Sequence, residues 1–162
     1  MSSAGNNFAA LVVERLGRTS CLTDAVTGQG CRPGELPQRI AATGSALRAA
    51  GLAPGDRLLL GCSLTPASAL VYLGAIYAGL VAVPVDERLL TAAGDAMVEL
   101  TGARAVWTET ELRKTGEWQG RVLMLHGDLP GDPKAMLAAA CCESDLAALM
   151  ATSGSTLKMR VP

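Results

Sequence analysis

Two short apolar segments constrain the fold of this chain most. The segment between them is long enough to form a helix. Residues 58–62 follow a Pro54-Gly55 turn, and residues 80–85 follow Gly79. Uninterrupted apolar strands are typical of a parallel sheet that is covered on both faces. The residues between them have a proline near the start and a glycine at the end, as helices often do. The pattern predicts a β-α-β unit, with Pro84 expected to end its second strand.

The remaining pattern repeats this alternation and predicts an α/β fold with a largely parallel sheet and helices on both faces. Residues 1–7 are expected to be a loose lead-in, and the helix at 8–16 is expected to be amphipathic, with Phe8, Leu11, Val12 and Leu16 on one side. Further helices are predicted at 36–50, 91–100 and 109–114, with a capped helical turn at 132–137. Strands are predicted at 19–26, 103–108, 121–125 and 146–151.

Composition excludes several classes of partner. The chain has 162 residues and a net charge of −1, from 14 basic and 15 acidic side chains without long runs of one sign. Such a balance, together with few aromatic side chains, argues against binding to nucleic acid or to a membrane surface. No segment is long and apolar enough to predict a membrane span. The N-terminus lacks the basic and apolar regions of a signal peptide.

Cysteine and histidine residues offer weak candidates for chemistry. Five cysteines without a regular pairing fit a reducing cytoplasm, and adjacent Cys141 and Cys142 are expected to be small fillers or surface thiols rather than metal ligands. Histidine is a common general base, but His126 follows a strand as an isolated loop residue, so we expect no catalytic role. Asp86, Glu87 and Arg88 follow a strand, at a position where α/β folds often build sites.

The strongest candidate site follows the last predicted strand. After residues 146–151 the chain continues with Thr152, Ser153, Gly154, Ser155 and Thr156. Four hydroxyl groups and a glycine that permits a sharp bend suit the binding of an anion by side chains and free backbone N–H groups. The same residue types also dominate ordinary turns, so composition alone leaves both interpretations open.

Three segments, in this order, resemble the AMP-forming adenylating enzymes. They are Pro54-Gly55-Asp56-Arg57, the segment 75–85 with Ala75, Ala78, Gly79, Val81, Val83, Pro84 and Val85 at matching positions, and the Ser/Thr sequence at 152–156. This superfamily contains acyl-CoA synthetases, fatty acyl-AMP ligases and peptide-synthetase adenylation domains. The likeness covers roughly residues 19–156.

The resemblance implies that this chain is the N-terminal portion of the large domain of such an enzyme. Residues 1–18 would form a lead-in and helix, and residues 19–162 a partial adenylation domain that stops after the phosphate loop. The parent enzyme would use ATP and Mg²⁺ to convert a small carboxylic acid into an acyl adenylate, and would then pass it to CoA or to carrier-protein phosphopantetheine. Thr152, Ser153, Gly154, Ser155 and Thr156, with Lys158 or Arg160 as the basic residue, would contact the ATP phosphates. Alone, the chain is expected to be inactive, and to self-associate or to pair with the missing C-terminal part.

The chain departs from the family pattern directly after Thr156. The family continues with glycine, a variable residue, proline, lysine and glycine, whereas this chain has Leu157-Lys158-Met159-Arg160-Val161. A leucine in place of the first glycine would hinder close contact between a phosphate and the backbone N–H groups. A non-catalytic binding or assembly module with the same fold is therefore the alternative interpretation. A Rossmann-type nucleotide binder is disfavoured because no G-x-G-x-x-G follows the first strands.

Overall fold

The computed structural model describes residues 6–16, 19–113, 116–135 and 137–150. Four parallel strands form its central sheet, and a separate two-stranded antiparallel ribbon lies nearer the N-terminus. The helices are α1 Phe8–Leu16, α2 Leu36–Ala49, α3 Pro66–Tyr77 and α4 Glu87–Thr101. The strands are β1 Leu22–Thr23, β2 Gly30–Cys31, β3 Arg57–Cys62, β4 Val81–Asp86, β5 Ala105–Thr108 and β6 Leu123–His126.

The central sheet has the strand order β4-β3-β5-β6. Successive side chains of a strand point to opposite faces, so a strand covered on both faces needs apolar residues at consecutive positions. In β3, Leu58 and Leu60 pack in one core with residues of α3, while Leu59 packs in the other core with residues of α4. The prediction of a largely parallel α/β sheet with helices on both faces is confirmed.

Local sequence signals set the ends of α3. The Thr65 side chain caps the helix by accepting a hydrogen bond from the backbone N–H of Ser68, and Pro66 opens its first turn. Gly79 follows the helix at φ 77°, a conformation that favours glycine. Within α3, a Cβ on Gly74 would stand 2.6 Å from Cγ2 of Thr43, so glycine allows α2 and α3 to pack closely.

Helix α4 begins earlier than the sequence analysis placed it. It starts at Glu87 rather than Thr91, because Asp86 caps it by accepting a hydrogen bond of 2.8 Å from the backbone N–H of Arg88. At the other end, Gly102 adopts φ 61°.

Two other element predictions are wrong. No helix occupies residues 109–113, and a short 3₁₀ helix, Glu117–Gly120, follows instead. The first predicted strand contributes only the two residues of β1. At 132–135 the structure has a hydrogen-bonded turn, in which Ala135 N donates to Asp132 O at 3.1 Å and Asp132 Oδ1 accepts from Lys134 N at 2.9 Å. Met136, in the rest of the helical turn expected at 132–137, lies outside the described residues.

Helix α1 has its predicted bounds but buries a different side from the one expected. Phe8, Leu11 and Leu16 are exposed, whereas Ala9 is fully buried. Asn7 is also buried, although the sequence analysis placed it in a loose lead-in. Its amide nitrogen donates to Ile76 O at 2.9 Å, and its oxygen accepts from Ala10 N at 3.1 Å. This one side chain therefore caps α1 and fastens it to the end of α3.

Candidate functional site at the carboxyl edge of the sheet

The last described residues extend the sheet beyond β4. We call residues 146–150 the bridge segment, since a parallel bridge joins Ala148 to Ala82. Ala82 N donates to Ala147 O at 3.0 Å, and Leu149 N donates to Ala82 O at 2.9 Å. Because the pairing is parallel, the carboxyl end of the bridge segment lies at the same edge as the carboxyl ends of β3, β4, β5 and β6.

The predicted phosphate-binding residues Thr152, Ser153, Gly154, Ser155, Thr156 and Lys158 lie outside the described residues. The structure does describe the segment that leads to them. Leu149 is 5% exposed and packs in the core that contains Val81 and Val83. This burial fixes the bridge segment against β4, two residues before the Ser/Thr sequence begins.

Pro84 lies inside β4 and does not end it, contrary to the sequence analysis. Pairing with β3 continues from Leu60 opposite Pro84 to Cys62 opposite Asp86. The N–H of Ala82 points to the bridge segment, and the backbone alternates, so the nitrogen of Pro84 points to that side as well. Proline is tolerated there because its missing N–H removes no bond between β3 and β4.

A topological switch point lies between β3 and β5. The connection that leaves β3 runs to β4, and the connection that leaves β5 runs to β6 on the opposite side. In open α/β sheets the crevice outside such a point commonly receives the ligand. Here it contains three side chains that we call the switch-point cluster: Thr65, Ser68 and Glu109.

Glu109 lines this crevice and accepts two hydrogen bonds there. Its Oε1 accepts one from the Thr65 hydroxyl and one of 2.9 Å from the Ser68 hydroxyl. A carboxylate beside the N-terminus of α3 is favourable to the helix dipole, but it repels a second anion. The cluster therefore joins β5 to α3. Its carboxylate repels a phosphate, whereas Arg32 and Arg39, which line the same cavity, would attract one. Sequence reasoning missed it, because Glu109 and Thr65 are far apart in the chain.

Cys62 lies beside the cluster at the end of β3. Burial raises the pKa of its thiol, and the charge of Glu109 raises it further. A thiol held neutral is a poor nucleophile, so this cysteine behaves as a small apolar side chain.

The other sequence candidates at this edge are not assembled into a catalytic group. His126 ends β6 and is exposed, and its side chain makes no hydrogen bond or ion pair with any described residue. Asp86 forms a 2.7 Å ion pair with Arg88. Hydrogen bonds from the side chain and backbone of Arg88 lower the pKa of Asp86 to about 2. These two residues cap α4, which agrees with a structural role.

The described cysteines are all free thiols. Cys141 lies near Asn7, which donates to its Sγ at 3.6 Å, and burial raises the pKa of its thiol. Within the described ranges, no three His, Cys, Asp or Glu side chains converge to hold a metal ion.

Comparison with protein-family models decides the family. The model described as AMP-binding enzyme matches residues 23–157, which include β2, the whole parallel sheet and the Ser/Thr sequence. The chain belongs to the AMP-binding enzyme family. The recognition made from the sequence is thus confirmed.

Solved structures show the same architecture. A fatty acyl-adenylate ligase from L. pneumophila, in complex with acyl adenylate and pyrophosphate, aligns with a TM-score of 0.72 and 21% identity over 98% of this chain and 29% of its own. ATP-bound MatB from Rhodopseudomonas palustris aligns at 0.74, with 19% identity over 98% of this chain and 34% of its own. A benzoate CoA ligase from Burkholderia xenovorans LB400 aligns at 0.67, with 28% identity over 92% of this chain and 32% of its own.

This chain therefore spans about a third of the length of each of those three proteins. The fold agrees with the N-terminal part of an adenylating enzyme. A search of curated proteins gave no match. None of the helices in the described part of the chain combines the length and the apolar character that crossing a membrane requires.

Proposed function

We propose that this chain is the N-terminal part of an ATP-dependent, AMP-forming ligase that activates a carboxylic acid. One observation carries most of the argument. The bridge segment is fixed parallel to β4 by Leu149 and the Ala82 hydrogen bonds, so the chain enters its Ser/Thr sequence from the carboxyl edge of the sheet. That edge is where α/β folds build ligand sites.

In the proposed reaction, a carboxylate oxygen of the substrate attacks the α-phosphate of ATP, and pyrophosphate leaves. The backbone N–H groups and hydroxyls of Thr152, Ser153, Gly154, Ser155 and Thr156 would hold the β- and γ-phosphates, and Lys158 would add a positive charge. Mg²⁺, when bound with ATP, would share the negative charge of the phosphates.

The product would be an acyl adenylate, and transfer to CoA or to the phosphopantetheine of a carrier protein would follow. We place the enzyme in the cytoplasm, in keeping with its free thiols. The relatives compared are about three times longer. We propose that the complete reaction needs the remaining part of such a domain, and that this chain alone does not perform it.

A second candidate is a non-catalytic binding or assembly module. The observation that favours it is the sequence after Thr156, where Leu157 replaces a glycine and Met159-Arg160 replaces the usual proline and lysine. A side chain in place of that glycine would keep phosphate further from the backbone N–H groups.

Exchange of labelled pyrophosphate into ATP separates the two candidates. We expect carboxylate-dependent exchange in the longest polypeptide that the gene encodes, and none in this chain alone. Replacing both Thr152 and Ser153 by alanine should slow exchange about a hundredfold, because donors to the departing phosphates are lost. Ser144→Ala, an exposed hydroxyl upstream of the bridge segment, should leave the rate unchanged. Absence of exchange in both polypeptides with a broad set of acids would favour the non-catalytic module.

A further inference from the structure

A cavity of about 370 Å³ lies at the amino ends of β3, β4 and the bridge segment, on the opposite edge of the sheet from the Ser/Thr sequence. The adjacent Cys141 and Cys142 both line it, together with Asn7 and with residues that precede β3 and β4. Its volume lies at the small end of the range of about 300–1,000 Å³ that is usual for small-molecule sites. The proposed ligase reaction uses neither thiol, so this pair is free for another role.

Hydrogen bonds to α1 and α3 hold the segment that carries Cys141. The side-chain nitrogen of Asn7 donates to Ala139 O at 3.2 Å and to the Cys141 sulfur at 3.6 Å. Ala139 N in turn donates to Tyr77 O at 2.8 Å. Because Asn7 is itself buried, it fixes this part of the cavity wall.

A tight turn holds Cys142. Its backbone N–H donates to Asp145 Oδ2 at 2.8 Å, and Asp145 N donates to Cys142 O at 3.1 Å. The turn leads directly into the bridge segment, which pairs with β4. The two thiols are therefore anchored on both sides, and a ligand that joins both sulfurs orders less of the protein than it would in an open chain.

The surroundings of the pair select among thiol reagents. Burial raises the pKa of the Cys141 thiol, and the charge of Asp145 adds to this effect. Disulfide exchange and alkylation need a thiolate, so both are slow at such a thiol. The Asp145 carboxylate also repels anionic reagents such as glutathione disulfide. An uncharged reagent that condenses with neutral thiols avoids both obstacles.

We infer that Cys141 and Cys142 together bind trivalent arsenic as a dithiol site. Thiol sulfur is a soft ligand that selects soft ions, and arsenous acid is uncharged at neutral pH. Two As–O bonds break and two As–S bonds form, and each departing hydroxide leaves as water with the proton of one thiol. The third hydroxyl stays on arsenic, and no electrons are transferred.

The number of ligands in this site suits arsenic better than a metal such as zinc. Trivalent arsenic is three-coordinate, so two sulfurs and one hydroxyl complete its geometry. A structural zinc site needs four ligands. Within the described part of the chain no three His, Cys, Asp or Glu side chains converge, so the pair has no third protein ligand to offer.

Phenylarsine oxide, an uncharged trivalent arsenical, tests the inference on this chain. Its As–O bond is replaced by two As–S bonds with release of one water, and mass spectrometry of the intact protein measures the adduct in excess glutathione. Glutathione displaces an arsenical from a single thiol but poorly from a pair, whose second bond forms intramolecularly. We expect one phenylarsine group per chain, bound about a hundredfold more weakly in Cys141→Ser and in Cys142→Ser.

Cys21→Ser is the matched control. The ribbon brings exposed Cys21 close to Cys31, because Leu22 pairs with Cys31. We expect this variant to bind phenylarsine as the wild type does, since Cys31 is buried and its sulfur already accepts a hydrogen bond from Arg39. Thermal unfolding establishes that each variant is folded. If Cys141→Ser is not, Cys142→Ser carries the test, because Cys142 is exposed.

Wild-type affinity for phenylarsine in folded Cys142→Ser would overturn the inference. So would loss of the adduct in Cys21→Ser, because the arsenical would then be held by the ribbon cysteines. A product that has lost two hydrogen atoms instead of gaining arsenic would also overturn it, since the thiols would have formed a disulfide.

Discussion

Two regions at the carboxyl edge of the sheet differ in what they offer an anion. The switch-point cluster between β3 and β5 stands where topology alone would put a ligand, but Glu109 fills it with a negative charge. The bridge segment beside β4 is away from that point, yet it leads into a sequence of four hydroxyl side chains and a glycine. We infer that strand order selects the edge of this sheet at which a ligand binds, whereas local charge selects the position along that edge.

The largest effect should come from loosening the bridge segment. Leu149→Ala removes a side chain that is buried between the segment and β4, and we expect it to lower the free energy of unfolding by about 2–3 kcal/mol. Met150→Ala is the control because Met150 is 56% exposed, and it should cost less than about 0.5 kcal/mol. Urea denaturation measures both. Equal costs would mean that Leu149 does not anchor the segment.

A smaller effect is expected at the switch-point cluster. Glu109→Ala leaves the hydroxyls of Thr65 and Ser68 without their acceptor, which should lower the free energy of unfolding by about 1–2 kcal/mol. Glu111→Ala removes an exposed carboxylate two residues away and should be close to neutral. If the two variants are equally stable, Glu109 does not join β5 to α3 as described.

Pro84 lies between the two regions and should tolerate change. Pro84→Ala keeps every hydrogen bond between β3 and β4, so it should destabilise by under about 1 kcal/mol, through greater freedom of the unfolded chain. Val83→Pro, one residue earlier, would remove an N–H that points to β3 and should cost about 3 kcal/mol or more. Urea denaturation measures both variants, and we expect the lower unfolding midpoint for Val83→Pro. A lower midpoint for Pro84→Ala would contradict the direction assigned to the Pro84 nitrogen.

The smallest effect concerns Asp86 at the end of β4. Its pKa is lowered from the ordinary value of an aspartate to about 2 in the folded protein, so its contribution to stability is present above pH about 4 and is lost as the pH falls towards 2. Asp86→Asn should flatten this part of a plot of melting temperature against pH. Arg88→Gln removes the largest cause of the shift but keeps the backbone hydrogen bond, and should flatten the plot partly. If the melting temperature of Asp86→Asn falls at low pH as steeply as that of the wild type, another group controls this pH dependence.

The fold was predictable where neighbours in sequence decide the structure. The apolar residues 58–62, the Pro66 helix start and the glycines after α2 and α3 each act locally, and those elements lie close to where they were expected. Predictions failed where a distant partner decides. Residues 109–113 are not helical, and Glu109 bonds to the start of α3. The buried side of α1 depends on Asn7 reaching Ile76 and Tyr77.

In the candidate site, too, local features could be predicted from the sequence and contacts between distant residues could not. The strand that leads to the Ser/Thr sequence could be found from its apolar residues and flanking Asp145. The switch-point cluster could not, because no local pattern connects residues 65 and 109. The phosphate contacts of Thr152, Ser153, Gly154, Ser155, Thr156 and Lys158 remain predictions.

Hydrogen–deuterium exchange with and without ATP and Mg²⁺ tests the central claim most directly. The measurement uses the longest polypeptide encoded by the gene and follows peptides covering residues 146–156, 62–70 and 107–112. We predict slower exchange on nucleotide binding in the first peptide and no change in the other two, because the phosphates bind after the bridge segment and not at the switch-point cluster. Protection confined to residues 62–70 and 107–112 would contradict the account.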